Sequence, residues 1–483
     1  MKWKCLQNPS SEQKDFVLVT VPWTDSSIPM MAPAILKPTI ERAGLSCLAV
    51  DLNVEIFHYV RDHELKDDLI RFFFDEYLND QTGPLFNDIF LSTAQQILSF
   101  RPRYVGLSVF SYVNQHAAKW LAYFLKKIDP ALIIIAGGAG CLPRFTGPSD
   151  YVDQMLAQKL FDFHIRGDAE YSLFELLQGN EKRLGINSLT WQEMNREELR
   201  ALPLPDYSNY HFDIYDKKVL PIVGSRGCVR QCTFCDYIAN WKKFQFRTAD
   251  DIFDEMVFQS QTYGIRYFKF QDSLTNGNQK EFMLLLSKLS DYNKSNPTNS
   301  LEWSGYFIFR DVTSSSEREW KLLAESGAEN LMVGIENLNQ HIRYHMGKKF
   351  SNESIDFHLA QAKKYNIQVQ MLNIVGYVTE TQKDIDFAKQ WLRDHVEYRD
   401  ILYIQWGGTL GIFPNTYLDE HRDTLGVQMI GTQPSLWINT SIGSTPSLRA
   451  TWVHELNQLS RELGYRVADN LDNHFLLETL INA

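Results

Sequence analysis

The stretch "GSRGCVRQCTFCDY", residues 224–237, contains three of the six cysteines of the 483-residue chain: Cys228, Cys232 and Cys235. The apolar run "VLPIVGS" (219–225) leads into it. A short apolar run that ends in turn residues predicts a buried strand, so the cysteines lie on the loop that follows a strand. Three thiols cannot all pair with one another, which disfavours a set of disulfides within the loop.

Three interpretations of this loop are open from the residues alone. Buried cysteines are often inert packing residues, although three in one glycine-flanked loop are unusual. A structural zinc ion requires four ligands, and the local sequence offers no fourth cysteine or histidine. A [4Fe–4S] cluster bound by three thiolates leaves one iron without a protein ligand. The amine and carboxylate of an amino acid, such as the one in S-adenosylmethionine (SAM), could chelate that iron.

Composition and charge limit the classes of function. The formal net charge of −11 argues against broad contact with nucleic-acid phosphates. The longest apolar runs, such as "ALIIIAGGAG" (131–140), are too short and too rich in glycine to span a bilayer. The N-terminus lacks the apolar core of a signal peptide. We therefore expect a cytoplasmic protein with reduced thiols, without a membrane partner or a nucleic-acid partner.

Residues 216–417 alternate strand and helix patterns. Amphipathic helices lie between the strands, and two of them begin with capping patterns at "TADD" (248–251) and "TQKD" (381–384). The βα unit recurs roughly every 30 to 45 residues, which predicts a partial (β/α)6 barrel with its chemistry on the loops after the strands. The six strand candidates are 219–225, 266–272, 301–310, 330–336, 367–376 and 401–408.

Residues 1–180 predict a doubly wound α/β domain of the Rossmann-like type. Short β-branched runs alternate with helical patterns such as 114–128, which indicates a parallel sheet covered on both faces. A ligand of such a domain binds at the carboxyl edge of the sheet. A helical insertion rich in aromatic residues occupies 55–100. The strand candidates are 16–21, 46–50, 104–110, 132–138 and 161–167.

Two further segments complete the predicted organisation. Residues 181–215 are typical of a linker, because "ALPLPDYSNYHF" (201–212) has two prolines and no sustained period. Residues 418–483 do not continue the βα repeat. They predict a small helical C-terminal tail with helices at 451–465 and 473–481.

The pattern C-x3-C-x-Φ-C, with Phe234 as the aromatic Φ, resembles the radical SAM superfamily when it follows the first strand of a six-unit βα barrel. The resemblance implies an enzyme in which Cys228, Cys232 and Cys235 bind a catalytic [4Fe–4S] cluster, with Phe234 beside the cofactor. SAM would bind the open iron. An external electron donor such as flavodoxin or ferredoxin would reduce the cluster.

Other segments extend the resemblance. "GIRYFKFQDSLTNGN" (264–278), "WSGYFIFRD" (303–311) and "GAENLMVGIENLN" (327–339) resemble the second to fourth strands, and 366–381 resembles the fifth strand with its adenine-binding turn. The cofactor-binding residues that this implies are Asp272, Arg310, Glu336, Asn373, Gly376 and Tyr377. From the residues alone, the three charged side chains could equally form ordinary ion pairs at strand ends.

The chain departs from the family pattern at three places. Asn337 stands where a serine is common, and Tyr377-Val378-Thr379 replaces the usual proline–glycine pair before Glu380. Asn415 replaces a glycine after Pro414. None of these departures removes a cysteine of the loop.

A doubly wound domain before such a barrel resembles the cobalamin (B12)-binding radical SAM enzymes. The segments "GLSVFS" (106–111), "AGGAGC" (136–141) and "HIRGDAEYSLFELL" (164–177) match the family's strand-end turns and its Gly-Glu-x-Glu segment. The D-x-H-x-x-G motif of other cobalamin proteins is absent, so the cobalt would have no histidine ligand. A relict domain without a ligand is the alternative. The residues implied in cobalamin binding are Ser108, Ser111, Gly137, Gly138 and Glu170.

The resemblance implies methylation of an unactivated carbon in a small-molecule or peptide substrate. Ring closure, rearrangement or a radical SAM reaction without cobalamin are alternatives among enzymes. A non-catalytic sensor of SAM or cobalamin is an alternative of another class. A methylthiolating enzyme of transfer RNA is disfavoured, because the chain has no second cysteine trio. The sequence indicates neither the substrate nor the oligomeric state.

Overall fold

The computed structural model describes residues 1–8, 11–24, 26–72, 81–141, 151–182, 185–187 and 191–468. These residues fall into two compact units, and the boundary between Pro221 and Ile222 lies within the strand Val219–Ile222, which is described with the second unit because it pairs in that unit's sheet. Within the described part of the chain, no helix combines the length and the apolar character needed to cross a membrane.

The first unit is built on a parallel sheet. Its strands are β1 (Phe16–Thr20), β2 (Cys47–Asp51), β3 (Tyr104–Ser108), β4 (Ile133–Gly137) and β5 (Phe163–Ile165). Its helices are α1 (Met31–Arg42), α2 (Leu52–Asp62), α3 (Lys66–Arg71), α4 (Pro84–Leu98), α5 (Gln115–Ile128), α6 (Tyr151–Ala157), α7 (Ala169–Leu177) and α8 (Arg196–Arg200). The strand order is β2-β1-β3-β4-β5, and all four pairings are parallel. Each of the five predicted strands is present.

Alternate residues of β1 enter two different cores, one on each face of the sheet. Val17 and Val19 belong to one hydrophobic cluster, and Phe16 and Leu18 belong to the other. This is the arrangement expected when helices cover both faces of a parallel sheet. The predicted helical insertion at 55–100 corresponds to α2, α3 and α4. Residues 73–80 of this insertion lie outside the described residues.

The described part of the predicted linker packs on the first unit. The Tyr210 hydroxyl donates to the Met30 carbonyl oxygen at 2.7 Å, and the Tyr215 hydroxyl donates to the Asp51 carboxylate at 2.8 Å. Buried aromatic hydroxyls with partners fix a segment in place. These residues are therefore part of the first unit rather than a free connection.

The second unit is a partial βα barrel with two small antiparallel strand pairs. Its strands are β6 (Val219–Ile222), β7 (Ser225–Arg226), β8 (Gln245–Phe246), β9 (Tyr267–Phe270), β10 (Glu302–Phe307), β11 (Ala328–Glu336), β12 (Gln368–Val375), β13 (Leu402–Thr409), β14 (Gln428–Met429), β15 (Trp437–Ile438) and β16 (Arg466–Val467). Its helices are α9 (Tyr237–Asn240), α10 (Ala249–Tyr263), α11 (Gln279–Ser295), α12 (Glu317–Glu325), α13 (Gln340–His345), α14 (Asn352–Lys364), α15 (Gln382–Asp394), α16 (Tyr417–Glu420) and α17 (Pro446–Glu462).

The six predicted βα units are confirmed. The large sheet has the order β6-β9-β10-β11-β12-β13-β16, and the pairings from β9 to β16 are parallel. Both predicted capping boxes form, at Thr248 with Asp251 and at Thr381 with Asp384. The sequence therefore places the cysteine loop correctly, after the first strand of the barrel.

The C-terminal tail contains the predicted helix and one additional strand of the large sheet. Its helix α17 is present, but β16 follows it and pairs with β13 as a seventh strand of the sheet. An edge strand with unpaired backbone groups favours such an addition, and two residues are too short for a sequence pattern to reveal. The helix predicted at 473–481 lies outside the described residues.

Candidate functional site

The cysteine loop is docked onto the residues that follow α13. A Cβ on Gly347 would lie 3.0 Å from the carbonyl oxygen of Gln231, so a side chain at this glycine would crowd the loop. The Thr233 amide donates to the Met346 carbonyl oxygen at 3.1 Å, and the Leu418 amide donates to the Thr233 carbonyl oxygen at 3.1 Å. Backbone hydrogen bonds on both sides therefore fix the loop between Cys232 and Cys235.

The three cysteines are free thiols that interact electrostatically. Burial raises the pKa of Cys232 to about 12, with the Lys348 ammonium opposing the shift and the Cys235 and Cys228 thiols adding to it. Burial also raises the pKa of Cys235. Thiolates at this place therefore require a metal or a cation to stabilise them.

A buried ion pair lies next to these thiols. The Lys348 Nζ atom is 2.9 Å from Oε1 of Glu336, and both side chains are 13% exposed. Burial opposes the charge on Lys348, but Glu336 and the thiols of Cys232 and Cys228 raise its pKa, so it stays an ammonium. A Cβ on Gly334 would lie 2.7 Å from this Nζ atom, so the glycine makes room for the pair.

The donor set fits a [4Fe–4S] cluster. It offers three unpaired thiols and one neighbouring cation that balances negative charge. In the described ranges, no three His, Cys, Asp or Glu side chains are grouped as ligands of a single metal ion. A cubane does not need such a group, because each of its thiolates binds a different iron.

Asp272 holds the strand end that leads to the cysteine loop. It is 2% exposed, and it accepts hydrogen bonds from the Gly224 amide at 2.7 Å and the Ser225 hydroxyl at 2.6 Å. Burial raises its pKa to about 6, although these donors oppose the shift. The structure therefore gives this carboxylate one backbone partner and one side-chain partner in the segment before Cys228.

Arg310 lies at the end of the third barrel strand. Its Nη1 atom is 3.4 Å from Oε1 of Glu319, and its Nη2 atom donates to the Asn276 carbonyl oxygen. The amide side chain of Asn276 also bonds both backbone groups of Ile308 at 3.0 Å. The guanidinium is therefore engaged in joining the ends of the second and third strands.

The turn after β12 is built around a buried carboxylate. Glu380 accepts from the amides of Gly376 (2.5 Å) and Tyr377 (3.0 Å) and from Nδ2 of Asn337 (2.5 Å). Burial raises the pKa of Glu380 to about 7. Asn337, which replaces the common serine, thus links the end of the fourth strand to the turn after the fifth.

Residues of the C-terminal tail cover the same turn. Gly376 has φ +80°, and a Cβ there would lie 2.1 Å from the Cδ atom of Arg449. Arg449 stacks over the ring of Trp437 at 3.7 Å. Asn439 Nδ2 donates to the Val378 carbonyl oxygen at 3.1 Å. Residues of the tail therefore pack directly against the turn after β12.

Asn373 is a buried residue near the end of β12. It is 3% exposed, and its Nδ2 atom contacts the carbonyl oxygens of Met371 and Gln405 at 3.4 and 3.3 Å. It lies where the register between β12 and β13 shifts. Its Oδ1 atom is buried without a partner.

One face of the sheet is partly exposed, and the space on this side is called the lumen of the barrel. Residues of β12 and β13 alternate between buried and partly exposed, so the partly exposed set faces open space. Gln370 Nε2 donates to Gln405 Oε1 at 2.9 Å on this face. Register places Met332 beside Gln370 and Gly334 beside Leu372. The lumen therefore combines amide groups with apolar side chains.

The carboxyl edge of the first unit's sheet is shaped by glycine. Gly138 has φ +112°, and a Cβ there would lie 2.3 Å from the Val109 carbonyl oxygen. The Val109 amide donates to the Gly137 carbonyl oxygen at 2.8 Å. The turns after β3 and β4 therefore lie directly on each other, and Phe110 is 56% exposed between them.

The other predicted residues of this unit are placed as follows. Ser108 ends β3, and its carbonyl oxygen accepts from the Val21 amide at 3.3 Å. Ser111 forms a capping box with Asn114. Glu170 is 4% exposed in the first turn of α7. Only Ser108 and Ser111 lie beside the glycine turns, whereas Glu170 is a buried helix residue.

Residues 222–392 match the model of the Radical SAM superfamily. The chain contains a radical SAM domain. The match begins in β6, includes all three cysteines and ends in α15. Radical SAM domains use a [4Fe–4S] cluster and SAM, so the expectation of a radical SAM enzyme with these cofactors is confirmed.

Curated and solved proteins extend the likeness beyond the radical SAM domain. An uncharacterized methyltransferase of Pyrococcus horikoshii is 23% identical over 79% of either chain. TsrM of Kitasatospora setae, a methyltransferase solved with cobalamin and a [4Fe–4S] cluster, aligns at 15% identity and TM-score 0.62 over 96% of this chain and 90% of its own. The cobalamin-dependent enzyme OxsB aligns at 14% identity and TM-score 0.61 over 98% and 71%. The expected fold, a B12-type domain before a radical SAM domain, is confirmed.

Sequence reasoning missed two contributors to the site. Lys348 lies beside the cysteine thiols. In the sequence it is marked only as a lysine that follows the glycine of "MGKKF" (346–350), which does not indicate a role at the site. Arg449 contacts the turn of the radical SAM domain from far along the chain. Such a contact leaves no local pattern, because tertiary packing alone brings the segments together.

Proposed function

We propose that this protein is a cobalamin-dependent radical SAM enzyme that methylates an unactivated carbon of a small-molecule or peptide substrate. The observation that carries the proposal is the three-cysteine loop, docked beside the Lys348–Glu336 pair within the radical SAM domain. An external protein reductant supplies the electron. Related enzymes named methyltransferases support the reaction class.

Cys228, Cys232 and Cys235 hold the cluster, and Phe234 packs beside it. When bound, the cluster would supply the one electron that breaks the S–C5′ bond of SAM and releases methionine and a 5′-deoxyadenosyl radical. Lys348 binds the carboxylate of SAM, because it is a buried ammonium within electrostatic reach of two of the thiols. The turn at Gly376 and Tyr377 holds the adenine ring against its backbone.

The first unit binds the corrinoid at the carboxyl edge of its sheet. The strand order changes direction between β1 and β3, and ligands of doubly wound sheets bind at such a point. The close turns at Gly137 and Gly138 and the exposed ring of Phe110 offer a flat apolar surface for a corrin ring. When bound, cobalamin supplies the methyl group.

The substrate enters the lumen of the barrel. The Gln370 and Gln405 amides supply hydrogen-bonding groups there, and Leu372 and Met332 supply apolar contact. Partly buried amide groups that lose their partners cost free energy, which favours a substrate with matching polar atoms. This placement keeps the reacting carbon away from bulk water.

The test is anaerobic purification with hydroxocobalamin, followed by analysis of iron, sulfide, cobalt and zinc. About four irons and one cobalt per chain are expected, as for one cubane and one corrinoid. Iron without cobalt would retain radical chemistry and exclude methyl transfer from cobalamin. Zinc in place of iron would overturn the proposal.

Turnover distinguishes an enzyme from a sensor built on the same fold. The reduced protein should convert SAM into 5′-deoxyadenosine even without substrate, whereas a sensor would only bind SAM. Formation of S-adenosylhomocysteine in the same mixture would report methylation of cobalamin. A protein that binds SAM and yields neither product would be a sensor.

A further inference from the structure

A chain of hydrogen bonds connects the cysteine loop to the turn after β12. The Thr233 hydroxyl, between Cys232 and Cys235, is 2.7 Å from the Tyr377 hydroxyl. The same Tyr377 oxygen is 3.0 Å from Nδ1 of His345 at the end of α13. Three separate segments therefore meet at one phenolic oxygen.

The position of this oxygen is strongly constrained. Tyr377 is completely buried, in a hydrophobic cluster with Met346 and Leu418, and Phe234 packs against that cluster. Burial raises the pKa of Tyr377 to about 12, so the phenol is neutral and keeps its proton. A neutral hydroxyl can donate one hydrogen bond and accept two, which matches its neighbours.

The backbone of the same residue belongs to the adenine turn. The Tyr377 amide donates to Glu380, whose other oxygen accepts from Asn337. The side chain and the backbone of Tyr377 thus belong to two different parts of the site. A shift of the turn by more than about 0.5 Å must either move the Thr233 hydroxyl or lengthen its hydrogen bond beyond the normal range.

We propose that Tyr377 is a positioning residue that couples occupancy of the adenine turn to the geometry of the cluster loop. The inference rests on the proposed function, because it requires the cluster on the cysteines and the adenine at this turn. A nucleoside on the turn alters the hydrogen bond to Thr233. The altered loop then changes the environment of the cluster held by Cys232 and Cys235.

The experiment uses methylthioadenosine as the probe. This molecule has the adenosine part of SAM but lacks the amine and carboxylate that could chelate iron. The reconstituted, reduced full-length protein is examined by electron paramagnetic resonance with and without the probe. The variants are Tyr377→Phe and Thr233→Val, which remove one hydroxyl each, and Tyr344→Phe, a control at an exposed tyrosine of α13.

In the wild type and in Tyr344→Phe, methylthioadenosine should shift the cluster spectrum. Tyr377→Phe and Thr233→Val should bind SAM about tenfold more weakly, as expected when one buried hydrogen bond is lost, and their spectra should not respond to the probe. The double variant should bind SAM no more weakly than Tyr377→Phe alone, because that substitution already removes the hydrogen bond to Thr233.

Three results would count against the coupling. The first is an unchanged spectrum of the wild type when methylthioadenosine is bound. The second is a spectrum of Tyr377→Phe that responds to the probe like the wild type. The third is an additive loss of SAM affinity in the double variant. Failure of the proposed function looks different. In that case the wild type itself would hold no iron or would not bind SAM, as measured by iron analysis and equilibrium dialysis before any comparison of variants.

Discussion

The Nζ atom of Lys348 lies 2.9 Å from Oε1 of Glu336, and this pair is within electrostatic range of the Cys228 and Cys232 thiols. The pair joins the end of the fourth barrel strand to the segment that supports the cysteine loop. Under the proposed function, the ammonium at this place would balance bound thiolates and attract the carboxylate of SAM. Four predictions follow from the contacts in this region.

Replacing Lys348 should weaken the binding of SAM. Lys348→Met removes the ammonium and leaves Glu336 unpaired and mostly buried, so we expect affinity to fall by at least about tenfold. Equilibrium dialysis of radiolabelled SAM with the reconstituted protein measures this. Lys349→Met, at the exposed neighbouring residue, is the control and should bind SAM like the wild type. Equal affinity in both variants would refute the role of Lys348.

Loss of one cysteine of the loop should abolish the cluster. Cys228→Ala leaves two protein ligands, so bound iron should fall from about four per chain to a small residue, and 5′-deoxyadenosine should not form. Cys47→Ala, at a buried cysteine of the first unit, is the control and should keep its iron. Retained 5′-deoxyadenosine formation in Cys228→Ala would contradict the radical mechanism.

Gly376→Ala should destabilise the second unit and prevent SAM binding. The backbone there has φ +80°, and a Cβ would lie 2.1 Å from Cδ of Arg449. Gly264→Ala has a similar φ of +68° but open space around the Cβ, so it should cost only about 1 kcal/mol. Urea denaturation compares the two variants. If Gly376→Ala and Gly264→Ala lowered the free energy of unfolding by the same amount, the contact with Arg449 would be unimportant for stability.

The stability of the second unit should fall as the pH rises from about 4.5 to about 7. Burial raises the pKa of Glu380 from its ordinary value of 4.5 to about 7. The native state therefore binds this proton more tightly than the unfolded chain, and the free energy of unfolding decreases across that range. Urea denaturation of the apoprotein at several pH values measures the slope.

Glu380→Gln is the informative variant for this pH dependence. It keeps a carbonyl acceptor but cannot ionise, so the slope between pH 4.5 and 7 should become shallower, with the buried Asp272 supplying part of what is left. Glu353→Gln, at an exposed residue of α14, should leave the slope unchanged. If the free energy of unfolding of Glu380→Gln depended on pH as steeply as that of the wild type, the carboxyl group of Glu380 would have an ordinary pKa.

The periodic parts of the fold could be predicted from the sequence. Runs such as "FVLVTV" (16–21) and "IQVQMLNIVG" (367–376) have the length and apolar character of buried parallel strands, and they form β1 and β12. Thr248 and Thr381 marked helix starts because capping uses contacts within four residues. Local interactions of this kind leave a local pattern.

The side-chain partners at the site could not be predicted in the same way. Asp272 was expected near SAM, and in the structure its carboxylate bonds the Gly224 amide and the Ser225 hydroxyl. Arg310 was expected to face the site, and its guanidinium joins Glu319 and the Asn276 carbonyl. These partners are far apart in sequence, so only folding reveals whether a strand-end charge is available to a ligand.

The sequence by itself determined where the chemistry-bearing side chains lie along the chain. Three cysteines at a fixed spacing lie within eight residues directly after a strand, which predicts a cluster-binding loop. Only the tertiary structure decided what surrounds them: the Lys348–Glu336 pair, the Tyr377 hydroxyl on Thr233 and the tail residue Arg449 on Gly376. Each of these contacts joins segments that are distant in the chain, and close packing alone brings them within reach of one another.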